Sequence, residues 1–481
     1  MALRLYNTFS KREEEFIPIK PGIVTMYTCG PTVYGRPHIG NYSSFLMADV
    51  LRRWLEAGYS LTVKHVKNIT DVGHLVADRD EGEDKVEREA RVEKVDPLEI
   101  ARKYTEQYLE DERALNLLEP VARPRATEYV PQMIELIQTL LEKGNAYETD
   151  DGVYFSVMTF PAYGELSGNT LENLNMGARI AVNEHKRHPA DFALWKKCVG
   201  ANADHILRWP SPWGEGFPGW HIECSAMSKS LLGPQIDIHT GGEDNIFPHH
   251  ECEIAQSEAA SMRSPFVRFW LHKRRIDLQS DKMSKSLGNV LTIPNVISRG
   301  YSPLDLRFYL LSVHYRTNLK FTWKGMDEAK KARFRILEWM EEVVKESGQV
   351  VPHPKGETDL QFSEAHGRFS AAMDGDLNTP AALAELFGVM NVYFSAKTAR
   401  KTLYREDMRE ILMFIEDIKQ TFGCFESEDQ KVPPEIHSLL QQREAARAKN
   451  DFSESDRLRK EIGKRGFMVR DTSKGQQVRK A

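Results

Sequence analysis

A strand, a short loop, an amphipathic helix and a second strand follow one another near the N-terminus, and this succession constrains the fold class more than any other feature. Residues 22–30 hold Ile23, Val24, Met26 and Tyr27 in a short apolar run bounded by glycines, the pattern of a buried strand. A loop over 31–37 leads to a helical pattern over 40–57, with Phe45, Leu46, Val50, Leu51, Trp54 and Leu55 on one face. Residues 61–66 read as a second strand. A strand–helix–strand unit of this kind predicts a parallel sheet covered by helices, an α/β fold. The theme returns at 235–239, a short strand that runs into Thr240-Gly241-Gly242 and then a helix over 248–260.

The rest of the chain is organised around that sheet. Residues 81–109 are densely charged and read as exposed helix. Residues 127–144 form a cleaner amphipathic pattern with Gly144 as its stop, and Asp150 to Gly152 mark the turn of a hairpin over 146–155. The stretch 120–210 therefore reads as an inserted α+β module. From about residue 325 the pattern is almost wholly helical, over 326–346, 359–373, 379–398 and 405–421. A polar, proline-containing linker at 427–434 leads to a basic tail. The 481 residues fit about three to five packed units.

Charge and cysteine usage narrow the function classes. The chain carries a net charge of -5, but residues 431–481 hold 13 Lys and Arg against 7 Asp and Glu. A basic terminal module on an acidic body fits either a polyanion partner or a solvated helical tail. No run approaches the ~18 apolar residues of a membrane helix, and the charged first residues do not resemble a signal peptide. A cytoplasmic location with no membrane partner is expected. Cys29, Cys198, Cys224, Cys252 and Cys424 are too sparse for a disulfide framework, so each is a small buried hydrophobe or a metal or catalytic residue.

Three motifs carry chemistry. His38-Ile39-Gly40-Asn41 sits where the first helix begins. Free N–H groups and the helix dipole favour phosphate there, Gly40 permits close approach, and His38 is able to donate to a phosphate oxygen; a capping loop is the alternative. Lys282-Met283-Ser284-Lys285-Ser286, with Leu287-Gly288-Asn289 after it, is a basic, hydroxyl-rich loop suited to clamping a triphosphate. The third is a scatter of metal-binding residue types: Cys29, Cys224 and, near a helix start, His249, Cys252 and Glu253. Positions 249, 252 and 253 share one helix face, but the spacing of the two distant cysteines does not by itself join them into a site.

The first two motifs resemble the signatures of class I aminoacyl-tRNA synthetases, which sit on a Rossmann-like doubly wound sheet. Asn41 departs from the commoner histidine at its position. Tyr27-Thr28-Cys29-Gly30-Pro31-Thr32-Val33-Tyr34, the segment Gly219-Trp220-His221-Ile222-Glu223-Cys224, Phe247-Pro248-His249-His250-Glu251-Cys252-Glu253, Asp191-Phe192-Ala193-Leu194-Trp195 and Asp376-Leu377-Asn378-Thr379-Pro380 resemble the cysteinyl-tRNA synthetase family over essentially the whole chain. The resemblance implies a Rossmann-like doubly wound parallel sheet split by an α+β insertion, then an α-helical bundle and a small C-terminal domain. The expected division is a catalytic first half at 1–119, the inserted module at 120–210, the catalytic second half at 211–275, a connecting segment with the lysine loop at 276–324, the helical bundle at 325–426 and the basic C-terminal domain at 427–481.

The resemblance also implies an activity and a site. ATP, with Mg2+, would activate L-cysteine, and the product would be passed to the 3′ end of tRNA(Cys), in a monomer. One zinc ion would be held by Cys29, Cys224, His249 and Glu253, with Cys252 as the rival of Glu253. His38, Lys282 and Lys285 would be catalytic. His38, Gly40, Asn41, Gly241, Gly242, Asp244 and Lys285 would bind ATP, and Trp220 would wall the amino-acid pocket. A zinc–thiolate contact would separate cysteine from serine, where shape alone gains only ~1–3 kcal/mol. Asn68-Ile69-Thr70-Asp71-Val72-Gly73-His74 is less acidic than expected, and no role follows for His74. Two rival activities remain open: a tRNA-independent cysteine ligase of thiol biosynthesis and a non-catalytic binding paralogue.

Overall fold

Strand β3 (Ile23–Thr28) is a central strand of a four-stranded parallel sheet, and the chain adds a neighbour first on one side of it and, much later, on the other. A computed structural model describes residues 2–76, 83–170, 185–278, 281–282, 290–356, 362–425, 434–449, 451–465, 467–472 and 475–480. Before β3, β1 (Arg4–Asn7) and β2 (Arg12–Glu15) form an antiparallel pair. After it, α1 (Ile39–Tyr59) crosses over to β4 (Thr62–Lys67), which pairs with β3 in parallel. Ser60 adopts a left-handed backbone that stops α1.

The charged stretch expected as one exposed helix is two helices, α2 (Lys85–Glu93) and α3 (Pro97–Ala114). Lys94 is left-handed, Asp96 caps α3 by accepting from Leu98 N–H, and Pro97 fits the first turn. Nor is α3 exposed. Ile100, Ala101 and Tyr108 are buried, Asp111 accepts from Arg36 and the Tyr42 hydroxyl, and Glu112 pairs with buried Lys67. Most of the charge, Arg88, Arg91, Lys94, Asp96, Glu99, Arg102, Lys103 and Glu106 among it, stays on the exposed faces, while Asp84, Glu87, Asp111 and Glu112 turn inward.

The insertion follows as α4 (Val130–Glu142), β5 (Ala146–Glu148), β6 (Gly152–Phe155), β7 (Phe192–Lys197) and β8 (Gly216–Pro218). These strands make one antiparallel sheet in the order β5-β6-β7-β8. Its last strand lies beyond residue 210, where sequence reading ended the module. A three-residue strand of Gly216, Phe217 and Pro218 has no period to detect, and it is fixed by pairing with Trp195 to Lys197.

The chain then re-enters the main sheet through α5 (Trp220–Leu232), β9 (Ile236–Gly242), α6 (Glu251–Ser261) and β10 (Val267–Lys273). The strand order is β10-β9-β3-β4, all parallel. Strand alternation sends Val24, Met26, Ile238, Phe269 and Leu271 to the core shared with α1. It sends Tyr27 and Trp270 to the opposite face, against Cys224, Met227 and Ile254 of α5 and α6. Both faces are covered, as a doubly wound sheet requires. Chain reversal between β3 and β9 makes a crevice at their carboxyl ends, the place where such sheets bind ligands.

Beyond β10 come β11 (Ile276–Leu278), β12 (Asp281–Lys282), α7 (Ile293–Ser298), α8 (Pro303–Leu311) and β13 (Leu319–Phe321). The helices α9 (Trp323–Ser347), α10 (Phe362–Asp374), α11 (Thr379–Thr398) and α12 (Arg405–Phe422) pack on the core of α1. A separate small core joins α13 (Pro434–Ala448) and α14 (Phe452–Lys464) to the hairpin β14 (Phe467–Thr472) and β15 (Gly475–Lys480). Among the described residues, no helix is long and apolar enough to cross a membrane.

Candidate active site and metal centre

Cys29 follows the last residue of β3, and its N–H donates to the carbonyl of Thr240 on β9. The thiol therefore points from the crevice between the two central strands. Cys224 comes from the second turn of α5, and His249 and Glu253 flank the start of α6. The helix expected from about 248 is present: Phe247 has an extended backbone, and the π-helical turn Ile246–His250 runs on into α6, leaving His249 Nε2 3.0 Å from Glu253 Oε1.

One ligand atom from each of Cys29, Cys224, His249 and Glu253 lies within 4.8 Å of all the others, and all four residues are buried. The two sulfurs are 3.9 Å apart, and Cys29 Sγ is 3.6 Å from Glu253 Oε1. Ligands of a tetrahedral zinc are spaced by roughly 3.3–3.8 Å, given bonds of about 2.0–2.3 Å. Donor types and separations both fit that ion. His221 Nδ1 lies 2.9 Å from His249 Nδ1, which turns Nε2 of His249 towards the cluster. His239 Nε2, 3.1 Å away, holds the other Glu253 oxygen.

A second group, Cys29, His239, His250 and Glu253, meets the same spacing. Its His250 is tied outward into the fold. His250 Nδ1 is 2.8 Å from His272 Nε2, and His272 Nδ1 is 2.8 Å from the Thr8 hydroxyl. Tyr27, His239 and Trp270 are cross-strand partners in one row, with the His239 and Trp270 rings stacked 4.6 Å apart. Sequence reading missed this layer of histidines. The available signal was a histidine next to Ile238 in a short strand, β9, that is buried on both faces.

The electrostatics follow from packing ionisable groups away from water. Burial raises Glu253, but the charges of His239 and His249 outweigh it and bring the carboxyl down to about 2. Burial lowers His249, yet Glu253 and Cys224 lift it to about 10. For Cys224, burial raises the thiol, while the Cys29 hydrogen bond and His249 bring it down to about 6. Cys29 is pushed up by burial, then by Cys224 and Glu253. A divalent cation here would displace the protons that these groups share.

Cys252, the rival of Glu253, turns elsewhere: its sulfur lies 3.6 Å from the Tyr163 hydroxyl, in the core beneath the insertion. Trp220 opens α5, and its ring stacks on His249 with centroids 4.3 Å apart.

The nucleotide-type motifs occupy the same end of the sheet. His38 caps α1, with its Nδ1 accepting from Asn41 N–H at 3.3 Å and Asn41 Oδ1 accepting from His38 N–H at 3.0 Å. The capping alternative thus describes these two side chains. Gly40 has a structural reason beside the expected one: a Cβ there would sit 2.8 Å from the His38 ring. Gly241 likewise makes room for His250, 2.6 Å from where its Cβ would be. Gly242 lies beside Ser44 of α1, and Asp244 is exposed in the turn Glu243–Asn245.

Lys282 ends β12; its side chain and residues 283–289, including Lys285, lie outside the described residues. The flanks of that loop are nonetheless anchored at the crevice. Ile39 N–H, in the first turn of α1, donates to Leu291 O at 2.8 Å. Glu243 binds Arg274 NH1 at 2.7 Å and Arg275 N–H at 3.2 Å. Residue 39 of the first motif thus meets the chain at Leu291, five residues past the second motif in sequence.

Comparison with known proteins resolves what kind of chain carries this arrangement. The class I (C) tRNA synthetase catalytic domain matches residues 15–331, a DALR domain matches 368–425, and the cysteinyl-tRNA ligase anticodon-binding domain matches 429–479. The cysteine–tRNA ligase of a Thermus thermophilus strain is 43% identical over 99% of this chain and 98% of its own. The chain belongs to the cysteine–tRNA ligase family. That of Chlorobaculum tepidum is 40% identical, with 98% of each chain covered. Members of this family are class I aminoacyl-tRNA synthetases, so the chain is an enzyme, a ligase. The fold also matches Mycobacterium tuberculosis methionyl-tRNA synthetase bound by methionyl-adenylate, with a TM-score of 0.60, 14% identity and coverage of 83% and 92%. Agrobacterium radiobacter LeuRS, from a ternary complex with tRNA and LeuAMS, gives a TM-score of 0.62 at 11% identity, covering 85% of each chain.

Proposed function

We propose that this ligase activates L-cysteine with ATP, as cysteinyl-adenylate, and transfers it to the 3′ end of tRNA(Cys), with one zinc ion held by Cys29, Cys224, His249 and Glu253. The observation that carries the reading is the convergence of two thiols, an imidazole and a carboxylate at the carboxyl ends of β3 and β9. When bound, the zinc supplies affinity for a thiolate that a serine hydroxyl cannot match. The contacts of His239 and His250 support a surrounding role: His239 orients Glu253, and His250, tied outward to His272, lies 3.3 Å from Cys29 Sγ.

The chain's own residues do the remaining work. Trp220 closes one side of the cysteine pocket. The capped first turn of α1, with His38, Gly40 and Asn41, faces the phosphates of ATP with its Mg2+. Gly241, Gly242 and Asp244 take the adenosine, and Lys282 and Lys285 neutralise charge as pyrophosphate leaves. The residues after 325 bind tRNA, the basic tail supplying charge to a polyanion. The expected division at 1–119, 120–210, 211–275, 276–324, 325–426 and 427–481, with β8 counted to the inserted module, assigns chemistry to the sheet and recognition to the helical and basic parts.

The test is cysteine-dependent ATP–pyrophosphate exchange beside charging of tRNA(Cys), each repeated with serine. Both activities with cysteine and neither with serine are expected. Exchange without charging indicates a small-molecule cysteine ligase, and absence of both in zinc-loaded protein refutes catalysis.

A further inference from the structure

His74 lies on the loop after β4, and its ring stacks on Trp220 with centroids 4.0 Å apart and planes 9° from parallel. The other side of Trp220 stacks on His249 at 4.3 Å and 22°. The indole is therefore held between two imidazoles, and one of them belongs to the proposed metal set.

The outer imidazole is fixed with unusual completeness. Its Nδ1 is 2.7 Å from the Thr32 hydroxyl, and its Nε2 is 2.5 Å from Lys85 Nζ. The lysine ammonium can only donate, so Nε2 accepts and Nδ1–H donates to Thr32. Both nitrogens of a neutral ring are then engaged. The backbone is held as well, because Lys85 N–H donates to His74 O at 3.0 Å and Leu75 bridges to Asp84. Gly73, with φ of +80°, turns the chain against the base of α5; a Cβ there would lie 2.7 Å from Glu223 Oε1 and 2.8 Å from Pro218 O. This turn is built onto the helix that carries both Trp220 and Cys224.

We propose that His74 is a positioning residue, a fixed plate that holds Trp220 flat against His249 and thereby sets the plane of that ligand and the wall of the pocket. The proposal rests on the reading of His249 as a zinc ligand and Trp220 as part of the cysteine pocket. It gives a purpose to the stretch after Val72, where the sequence is less acidic than the family resemblance implies.

The test uses full-length zinc-loaded enzyme and the variants His74→Ala, His74→Phe and Trp220→Phe. Three quantities are measured: the emission of Trp220, as the difference from the matched Trp220→Phe protein; the rate of zinc transfer to a chelator without substrates; and KM for cysteine and for ATP in pyrophosphate exchange. His74→Ala should shift Trp220 emission to longer wavelength. It should also speed zinc release and raise KM for cysteine by about three- to tenfold, the factor that an aromatic pair supplies, with KM for ATP unchanged. His74→Phe keeps the ring and loses both polar tethers, and it should restore all three. Unaltered emission and zinc release in His74→Ala overturn the proposal, and so does a His74→Phe enzyme as impaired as His74→Ala. If Trp220→Phe leaves cysteine KM unchanged, the pocket-wall reading fails instead, while emission and zinc release still decide the role of His74.

Discussion

Replacing Arg307 with methionine should loosen the joint between the catalytic sheet and the helical bundle. The Arg307 side chain is fully buried on α8. Its Nε donates to Phe422 O at 2.6 Å, its NH1 to Leu115 O at 2.8 Å and Asn116 O at 2.7 Å, and its NH2 to Asp49 Oδ2 at 2.5 Å. One guanidinium thus ties α1, the end of α3 and the end of α12 together. Methionine fills much of the space but leaves three carbonyls without this donor. Asp49 keeps Arg53 at 2.8 Å and Leu118 N–H at 2.7 Å, so the cost belongs at the lower end of the 3–5 kcal/mol for a broken buried pair, about 3 kcal/mol. With an unfolding entropy of about 2.1 cal/mol/K per residue, a chain of 481 residues shifts by about 1 °C per kcal/mol, so Tm should fall by roughly 3 °C. Acid titration provides a second readout. Burial raises Asp49, but Arg307 and Arg53 outweigh it and bring it to about 2, below the usual 3.8. A depressed carboxylate stabilises the fold above about pH 4 and loses that contribution as pH falls towards 2, about 2 kcal/mol in all. Arg307→Met should therefore flatten the loss of stability between pH 4 and 2. Thermal melts across that range test both effects; an unchanged Tm and an unchanged acid slope would refute the role given to Arg307.

Cys224→Ser should lower zinc affinity by more than about tenfold, whereas Cys252→Ala, which loses a core sulfur beside Tyr163, should keep its zinc; metal analysis after dialysis against a chelator distinguishes them. Gly241→Ala places a methyl 2.6 Å from His250, which lies against Cys29, so cysteine-dependent exchange should fall while Tm changes little. Reversing the exposed pair Arg459 and Lys460 on α14, as R459E/K460E, should raise KM for tRNA and reduce the salt slope of binding by about 1–2, with pyrophosphate exchange unaltered.

The sheet and α1 were legible because residues such as Val24, Met26 and Leu51 are buried by a single rule of period, and the long helices of the bundle for the same reason. The charged helices α2 and α3 were half legible. Composition marks helix, but only the fold shows that Asp111 meets the partly buried Arg36 and Glu112 the buried Lys67. β8 was not legible, since three residues with a glycine and a proline carry no pattern. At the site, Cys29 and Cys224 meet only through the topology of the sheet, and their expected pairing came from family resemblance rather than spacing. Local geometry separated Glu253 from Cys252: the carboxylate turns back to His249, and the thiol turns to Tyr163. His38 and Asn41 show the reverse situation, a motif whose side chains also satisfy the helix cap.

The most direct test of cysteine selection at the Cys29, Cys224, His249 and Glu253 cluster is X-ray absorption spectroscopy of the zinc-loaded enzyme with and without L-cysteine. Two sulfur neighbours of the zinc without substrate and three with cysteine are expected, with no change on adding serine. A sulfur count that cysteine leaves unaltered, or a zinc-free enzyme that still prefers cysteine to serine, would contradict it.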